Sequence, residues 1–328
     1  MHILVLGAAG MVGRKLTERL LRDGRLGKAD IARMTLQDVV APATSVKAGF
    51  PIDTVTGDFA VAGFAEKLVA DRPDVIFHLA AIVSGEAELD FDKGYRINLD
   101  GTRMLLDAIR LAGQGYKPRV VFTSSIAVFG APFPDAIGDE FFQTPLLSYG
   151  TQKAIGELLL ADYTRRGFMD GIGIRLPTIC IRPGLPNKAA SGFFSNILRE
   201  PLAGKDVVLP VSEEVRHWHA TPRSAVGFLI HAATIDSAAV GARRNLTMPG
   251  LSATVGEEIA ALKRVAGDKV AGRIKREPDP FIMGIVDGWP RNFDAKRALK
   301  LGFTTAEKTF DDIIKIHIED ELGGKFVA

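Results

Sequence analysis

Proton chemistry at a phenol has few candidates in this chain, because it contains 4 tyrosines beside 19 phenylalanines. Tyr149 is the one tyrosine followed four residues later by a lysine, Lys153. On a helix, residues at this spacing share a face, roughly 5–6 Å apart. A neighbouring ammonium favours the phenolate, so we expect the pKa of Tyr149 to fall and the phenol to accept a proton from a substrate alcohol. The alternative is an ordinary surface pair, which is commoner for this spacing alone.

Hydroxyl and small side chains follow two apolar runs that we predict to be strands. Ser124 and Ser125 follow Arg119–Thr123, and Ala80 and Ala81 end the segment His78-Leu79-Ala80-Ala81. The carboxyl ends of parallel strands are where open α/β sheets bind ligands. The hydroxyls could instead cap the strand end, and His78 is expected to be a structural hydrogen-bonding residue.

A glycine-rich turn follows the first apolar run, His2–Leu6. Gly7, Gly10 and Gly13 form a G-x-x-G-x-x-G pattern that includes Met11 and Val12 and leads into a predicted helix, Met11–Arg22. Such a turn lets the backbone and a helix N-terminus approach a pyrophosphate. The pattern predicts a dinucleotide site rather than a plain strand–helix connection.

Two aspartates follow the next predicted strands. Asp38 lies 25 residues after Gly13, where a carboxylate can accept hydrogen bonds from ribose hydroxyls and repel a 2′-phosphate. Asp58 could accept from the adenine amino group. Each could instead be a solvated loop acid. Asp38 favours NAD over NADP.

The elements that must position these residues alternate between short apolar strands and amphipathic helices. This alternation predicts a Rossmann-type, doubly wound parallel α/β sheet covered on both faces, with a smaller α/β lobe toward the C-terminus. We assign residues 1–177 and roughly 222–247 to an NAD-binding domain, and 178–221 and 248–328 to a substrate-binding lobe. The predicted helices are Phe64–Ala70, 91–112, Tyr149–Arg165, 191–202, 254–265, 294–301 and 309–322.

Composition excludes several other classes. The chain has 328 residues, 41 basic and 39 acidic side chains and a net charge of +2, so nothing favours nucleic acid or a membrane surface. No apolar run approaches the roughly 18 residues of a membrane span, and the start lacks a signal-peptide pattern. The single cysteine, Cys180, fits a reducing compartment, so we expect a cytoplasmic protein without a metal site.

Taken in order, these motifs resemble those of extended short-chain dehydrogenases/reductases, the NAD-dependent epimerase/dehydratase family. The similarity spans the chain through the glycine turn, Asp58, His78-Leu79-Ala80-Ala81, Asn98-x-x-Gly101-Thr102, Ser125 three residues before Val128, Tyr149-x-x-x-Lys153 and Arg182-Pro183-Gly184. The resemblance implies that Tyr149 accepts the proton, Lys153 holds the nicotinamide ribose and Ser125, rather than Ser124, bonds the reacting oxygen. It also implies cofactor contacts from Leu79, Ala80, Ala81, Asn98 and Pro177.

Departures from the family pattern bear on the substrate. Ile126-Ala127 replaces the Asp-Glu pair of dehydratases, and Thr178 replaces the Asn of epimerases. The stretches 82–88, 148–159, 176–179, 182–191, 199–204 and 286–290 more closely resemble those of one branch of the family. This resemblance implies oxidation of the C2 hydroxyl of a four-carbon sugar acid, D-erythronate, to 2-oxo-tetronate. We expect the substrate site to include Ser84, Ser125, Tyr149, Thr178, Arg182, Asn187 and Arg216.

Two other functions remain open: a nucleotide-sugar 4-epimerase of the same fold, and a non-catalytic NAD(H)-sensing protein. The resemblance also implies a homodimer, because relatives pair through a four-helix interface that would use 91–112 and Tyr149–Arg165 here.

Overall fold

Seven parallel strands form the central sheet in the computed structural model, which describes residues 1–184 and 191–328. In spatial order they are Asn245–Thr247, Asp170–Leu176, Arg119–Ser125, Val75–His78, His2–Leu6, Arg33–Asp38 and Ile52–Thr56. The chain starts in the middle, builds outward to one edge and then returns to build the other. The predicted doubly wound Rossmann-type sheet is therefore confirmed.

Each face of the sheet has its own apolar core, because successive side chains of a strand point to opposite faces. Ile3 and Val5 pack on one face with the helices Met11–Asp23 and Pro222–Thr234. Leu4 and Leu6 pack on the other with helices that include Phe64–Ala70, Thr102–Leu111 and Ser148–Arg165. Burial on both faces explains why these strands read as continuous apolar runs.

A third core lies under the later segments of the chain. Phe194, Ile197 and Leu198 of the helix Gly192–Leu202 pack there with residues of the helices Val255–Ala266 and Phe310–Leu322. Thr178–Ile179, Arg216–Ala220 and Leu251–Thr254 form a three-stranded sheet beside it. The remaining strand pairs are Arg25–Leu26 with Ala29–Asp30, Ile137–Gly138 with Phe293–Asp294, and Val207–Leu209 with Ile274–Arg276. The predicted domain boundaries stay a prediction.

The predicted helix 91–112 is helical from Phe91 to Leu111 but is not uniform. A π-helical stretch, Tyr95–Gly101, interrupts it between Phe91–Gly94 and Thr102–Leu111. The stretch contains Asn98, whose buried side chain bonds the backbone of Ile82 through both its oxygen and its nitrogen. The π-helical stretch thus coincides with a contact between two distant segments, which the spacing of apolar residues in the sequence does not reveal.

The helix Pro222–Thr234 is absent from the sequence prediction. Thr221 caps it by accepting a hydrogen bond from the Ser224 N–H, and Pro222 begins it, which is a local start signal. The other helices are Ser84–Leu89, Ile126–Val128, Ser237–Val240, Asp268–Ala271, Pro280–Asp287 and Lys296–Lys300. No helix in residues 1–184 and 191–328 is long and apolar enough to cross a membrane.

Candidate active site

A cavity of about 580 Å³ opens at the carboxyl ends of the central strands. Its walls come from four places: the glycine turn, the ends of the strands Val75–His78 and Arg119–Ser125, the start of the helix Ser148–Arg165, and segments that follow the strand Asp170–Leu176. Ligands of open α/β sheets bind at this position because the strand order reverses there. The sequence motifs therefore meet in one space.

The glycine turn leaves no room for side chains where the cavity begins. Gly7 has φ +83°, and a Cβ there would lie 2.7 Å from the Ala80 nitrogen. A Cβ on Gly13 would lie 2.1 Å from the Gly7 carbonyl oxygen, so the helix Met11–Asp23 starts tightly against the strand. The turn requires glycine at these two positions for steric reasons.

The helix Met11–Asp23 offers its N-terminus to the cavity. Gly10, Met11, Val12 and Gly13 all line the cavity, and the N-cap residue Gly10 has no side chain with which to cap this end of the helix. Uncapped N–H groups and the positive end of the helix dipole suit a pyrophosphate. The glycine turn and the free N–H groups at the start of the helix therefore fit a dinucleotide such as NAD.

Ser125 and Tyr149 meet in the cavity although 24 residues separate them. Ser125 ends a strand and Tyr149 lies in the first turn of the helix Ser148–Arg165. The Ser125 side chain lowers the pKa of the Tyr149 phenol, because its hydroxyl can donate a hydrogen bond to the phenolate. The two hydroxyls can therefore contact one substrate oxygen, Ser125 as a hydrogen-bond donor and Tyr149 as the group that takes the proton.

Lys153 is buried below Tyr149 on the same helix. Its Nζ donates a hydrogen bond to the Thr123 carbonyl oxygen at 2.8 Å and lies 5.7 Å from the centre of the Tyr149 ring. Burial lowers the pKa of this amine to about 7, although the charge of Glu157 acts to raise it. Lys153 lines the cavity and can offer its remaining hydrogens to a ligand.

The predicted fall in the pKa of Tyr149 is wrong for this structure. Burial raises the pKa of the phenol to about 12 because it disfavours the charged phenolate. Arg182 and Ser125, rather than Lys153, are the groups that act in the opposite direction. The helical spacing correctly places Lys153 under the ring, but it does not reveal how strongly the site is desolvated.

Glu157 anchors the wall behind Ser125. Its buried carboxylate accepts a 2.5 Å hydrogen bond from the Ser124 hydroxyl and pairs with the Arg175 guanidinium at 2.7 Å. Both serines line the cavity, but Ser124 uses its hydroxyl hydrogen for Glu157, whereas Ser125 acts on Tyr149 and lowers the pKa of its phenol. This arrangement gives a physical reason to prefer Ser125 over Ser124.

Arg182 brings a positive charge to the cavity. It donates hydrogen bonds to the Ile179 carbonyl and the Ser191 hydroxyl. Within residues 1–184 and 191–328 no carboxylate lies at ion-pair distance from it, and residues 185–190 contain no Asp or Glu. Arg182 and Tyr149 both line the cavity, and the Arg182 charge lowers the pKa of the Tyr149 phenol. A cation of this kind is suited to a carboxylate ligand.

Fourteen predicted residues line the cavity: Gly7, Gly10, Met11, Val12, Gly13, Leu79, Ala81, Ser84, Ser125, Tyr149, Lys153, Pro177, Thr178 and Arg182. Arg216 is not among the lining residues, and its guanidinium pairs with Glu257 at 3.2 Å. The structure thus gives no support to its prediction as a substrate residue. Asn187 lies outside the described residues.

Four predicted cofactor residues lie around the cavity rather than in its lining. Asp38 accepts a hydrogen bond from the Ala9 N–H in the glycine turn, and Asp58 pairs with Arg96. Ala80 packs its backbone against Gly7. Asn98 bonds the backbone of Ile82 and therefore supports a lining residue. Their direct contacts with the cofactor stay predictions.

The sequence analysis missed part of the outer wall. His217 lines the cavity, as do Gly284, Ile285, Gly288, Trp289 and Pro290 around the end of the helix Pro280–Asp287. His217 alternates with Arg216 along one strand, so the two face opposite sides of it. Nothing local in the sequence tells which side faces the cavity.

Comparison with known proteins agrees with this geometry. Residues 3–221 match the model of the family described as "NAD dependent epimerase/dehydratase family". The chain belongs to this family. The match runs from the first strand of the central sheet to Thr221 and so includes the glycine turn, Ser125, Tyr149 and Lys153. NAD is therefore its cofactor, in agreement with the fit of the bare glycine turn.

Two curated members of the family are similar over nearly their whole length. D-erythronate dehydrogenase of Cupriavidus necator is 45% identical over 324 residues, which is 98% of each chain. D-erythronate dehydrogenase of Haemophilus influenzae is 40% identical over 322 residues, covering 98% of this chain and all of that one (100%). The similarity thus includes the residues around the outer wall.

Two solved structures share the fold of this chain. The structure described as the nucleoside-diphosphate-sugar epimerase from Agrobacterium tumefaciens is 68% identical, with a TM-score of 0.97 over 99% of this chain and 95% of that one. L-threonine 3-dehydrogenase from Trypanosoma brucei has a TM-score of 0.85 over 99% of both chains at 24% identity. The second likeness concerns the fold alone.

Proposed function

We propose that this NAD-dependent oxidoreductase oxidises the C2 hydroxyl of a short sugar acid, D-erythronate, to 2-oxo-tetronate. Its similarity to two D-erythronate dehydrogenases, at 45% and 40% identity over nearly the whole chain, supports the substrate. The observation that carries the proposal is the position of Arg182. A guanidinium without a carboxylate partner among the described residues lies close enough to Tyr149 to change its pKa.

The neighbourhood of Arg182 and Tyr149 favours reaction at C2. In a 2-hydroxy acid the carboxylate is attached to the carbon that carries the reacting hydroxyl. If Arg182 binds the carboxylate with charge-assisted hydrogen bonds, the C2 hydroxyl lies beside Tyr149 and Ser125. A hydroxyl at C3 or C4 would lie one or two carbons further from the cation. Binding of the carboxylate by Arg182 would therefore favour oxidation at C2 over oxidation at C3 or C4.

Each polar side chain then has a defined task in the reaction. Tyr149 takes the proton of the C2 hydroxyl, and the Ser125 hydroxyl donates a hydrogen bond to the same oxygen. Lys153, held by the Thr123 carbonyl, binds the nicotinamide ribose next to Tyr149. NAD, when bound, accepts the electron pair of the C2–H bond together with its hydrogen. Arg182 keeps the acid oriented while a C=O bond forms at C2.

The test is to incubate the purified protein with NAD and a panel of four- to six-carbon aldonic acids that includes both enantiomers of erythronate and threonate. We expect steady NADH production, measured by absorbance, with the highest kcat/KM for D-erythronate. Absence of NADH with every acid would overturn the proposal. A 4-epimerase would release no net NADH, so steady release with D-erythronate excludes it, and an NAD-sensing protein would bind NAD without turnover.

We further propose that the protein acts as a homodimer in the breakdown of sugar acids in the cytoplasm. The helical stretch from Phe91 to Leu111 and the helix Ser148–Arg165 contact each other and leave large apolar side chains exposed, Phe91, Leu111 and Leu158. Pairing of these helices in a four-helix interface would cover them. The buried free thiol of Cys180 supports a reducing compartment. Light scattering during size-exclusion chromatography should give twice the 35.3 kDa chain mass; a monomer would contradict the dimer.

A further inference from the structure

Three residues form a continuous hydrogen-bonded chain at the edge of the cavity. Thr178 Oγ1 lies 2.7 Å from His217 Nε2, and His217 Nδ1 lies 2.8 Å from the Pro290 carbonyl oxygen. All three residues are buried and all three line the cavity. The chain joins segments that are 39 and 73 residues apart, so it exists only in the folded protein.

The chemistry of the three groups determines where each hydrogen lies. A peptide carbonyl can only accept, so the hydrogen between His217 and Pro290 belongs to Nδ1. Burial lowers the pKa of His217 to about 3, and the ring is therefore neutral near pH 7. A neutral ring with hydrogen on Nδ1 has a lone pair on Nε2. Thr178 must then donate its hydroxyl hydrogen to Nε2.

Because Thr178 donates its hydroxyl hydrogen to His217, it can only accept a hydrogen bond from a ligand. Its only hydroxyl hydrogen is used by His217, while its oxygen keeps lone pairs that can accept. In most sites a threonine hydroxyl rotates and can either donate or accept. Here the Pro290 carbonyl and His217 remove that freedom, so the cavity presents an acceptor at Thr178.

We propose that Thr178, oriented by His217, accepts a hydrogen bond from a substrate hydroxyl other than the reacting one and thereby selects acids that carry a second hydroxyl. This inference rests on the proposed function, which assigns the reacting C2 hydroxyl to Tyr149 and Ser125. Thr178 is then a specificity residue. His217 is a positioning residue that touches Thr178 and determines the polarity of its hydroxyl.

The surroundings of His217 support a positioning role. Its ring stacks on Phe194 at 5.1 Å between ring centres and an angle of 4°. Pro290 follows Gly288 and Trp289, which also line the cavity, so the bond to its carbonyl links the outer wall to the strand Arg216–Ala220. The ring is therefore held from its face and from both nitrogens.

The test compares acids that differ by one hydroxyl. The wild-type enzyme is assayed with NAD and D-erythronate, and with 2,3-dihydroxybutanoate and 2,4-dihydroxybutanoate of the same configuration at C2. We expect at least one dihydroxy acid to lose about tenfold or more in kcat/KM, because its missing hydroxyl leaves the buried acceptor unpaired. The ratio of kcat/KM between D-erythronate and that acid is the readout.

Three variants and a control then test whether Thr178 causes this difference in kcat/KM between the acids. Thr178→Val should bring the ratio close to one, mainly by raising KM for D-erythronate, whereas Thr178→Ser should keep it. His217→Phe retains the stacked ring but frees the Thr178 hydrogen, so the ratio should fall. His231→Phe is the matched control, because His231 also bonds a backbone carbonyl, that of Leu301, but does not line the cavity.

The outcomes separate this inference from the proposed function. A ratio that falls in Thr178→Val and His217→Phe but not in Thr178→Ser or His231→Phe supports the inference. Equal kcat/KM for all three acids in the wild type, or an unchanged ratio in Thr178→Val, overturns the inference and leaves the proposed function standing. No oxidation of any acid overturns the proposed function and this inference with it. A folding defect lowers turnover of all acids together and does not change the ratio.

Discussion

Replacing Arg182 with methionine removes a cationic group of the cavity that has no carboxylate partner among the described residues, while it retains much of the apolar stem. The change removes hydrogen bonds to Ile179 and Ser191 as well as the charge that lowers the pKa of Tyr149. If Arg182 binds the substrate carboxylate, the variant should lose affinity for an acid much more than for an uncharged analogue.

The expected size of the loss follows from the type of contact. A hydrogen bond to a charged group contributes about 1.5–3 kcal/mol. Since 1.36 kcal/mol corresponds to a factor of ten, kcat/KM for D-erythronate should fall by about 10- to 150-fold in Arg182→Met. Activity should increase with pH as the Tyr149 phenol loses its proton. In Arg182→Met this increase should shift to higher pH, because Arg182 no longer lowers the pKa of Tyr149.

The assay measures NADH production from D-erythronate and from its amide, which keeps every hydroxyl but lacks the charge. The wild type should prefer the acid, and Arg182→Met should treat the two alike. Arg216→Met is the control, because Arg216 pairs with Glu257 away from the cavity and should keep the wild-type preference. An undiminished preference for the acid in Arg182→Met, with melting temperature near wild type, would refute the role of Arg182.

Three further experiments, two with substitutions and one with pH, test the rest of the site. Tyr149→Phe should lower kcat by about 10²- to 10⁴-fold because the proton acceptor is lost, while NAD titration by fluorescence should give an unchanged Kd; near-normal turnover would contradict this role. Wild-type kcat/KM should rise steadily above about pH 7, because burial raises the pKa of Tyr149 to about 12 and more phenolate forms as pH increases; a flat or falling profile would disagree. Gly13→Ala should weaken NAD binding and lower the melting temperature, because its Cβ would lie 2.1 Å from the Gly7 carbonyl oxygen, whereas Gly227→Ala, where a Cβ has open space, should do neither.

Strands and most helices were accessible to sequence reasoning because their signals are local. The apolar run His2–Leu6 and the helix Phe64–Ala70 have the predicted bounds. The helix Pro222–Thr234 was missed although Thr221 and Pro222 form a recognisable start, because it lies in a region with short strands and frequent prolines. The π-helical stretch around Asn98 could not be predicted, since it accompanies a bond to Ile82, 16 residues away.

The candidate site likewise has features that sequence spacing predicts and features that it does not. Sequence spacing on one helix places Tyr149 and Lys153 together, and the turn places Gly7 and Gly13 together. Sequence spacing did not reveal that His217 rather than Arg216 lines the cavity, since successive residues of a strand face opposite sides and only packing decides which side meets the cavity.

By itself the sequence determined the parallel sheet, the glycine turn and the Tyr-x-x-x-Lys pair, because each depends on contacts between residues a few positions apart or on an apolar period. Only the tertiary structure decided the electrostatics of the cavity. Burial raises the pKa of Tyr149, Arg182 acts on it from another segment, and the Pro290 carbonyl directs the Thr178 hydroxyl through His217. Desolvation and hydrogen-bond direction depend on groups that are distant in the chain and become neighbours only when it folds.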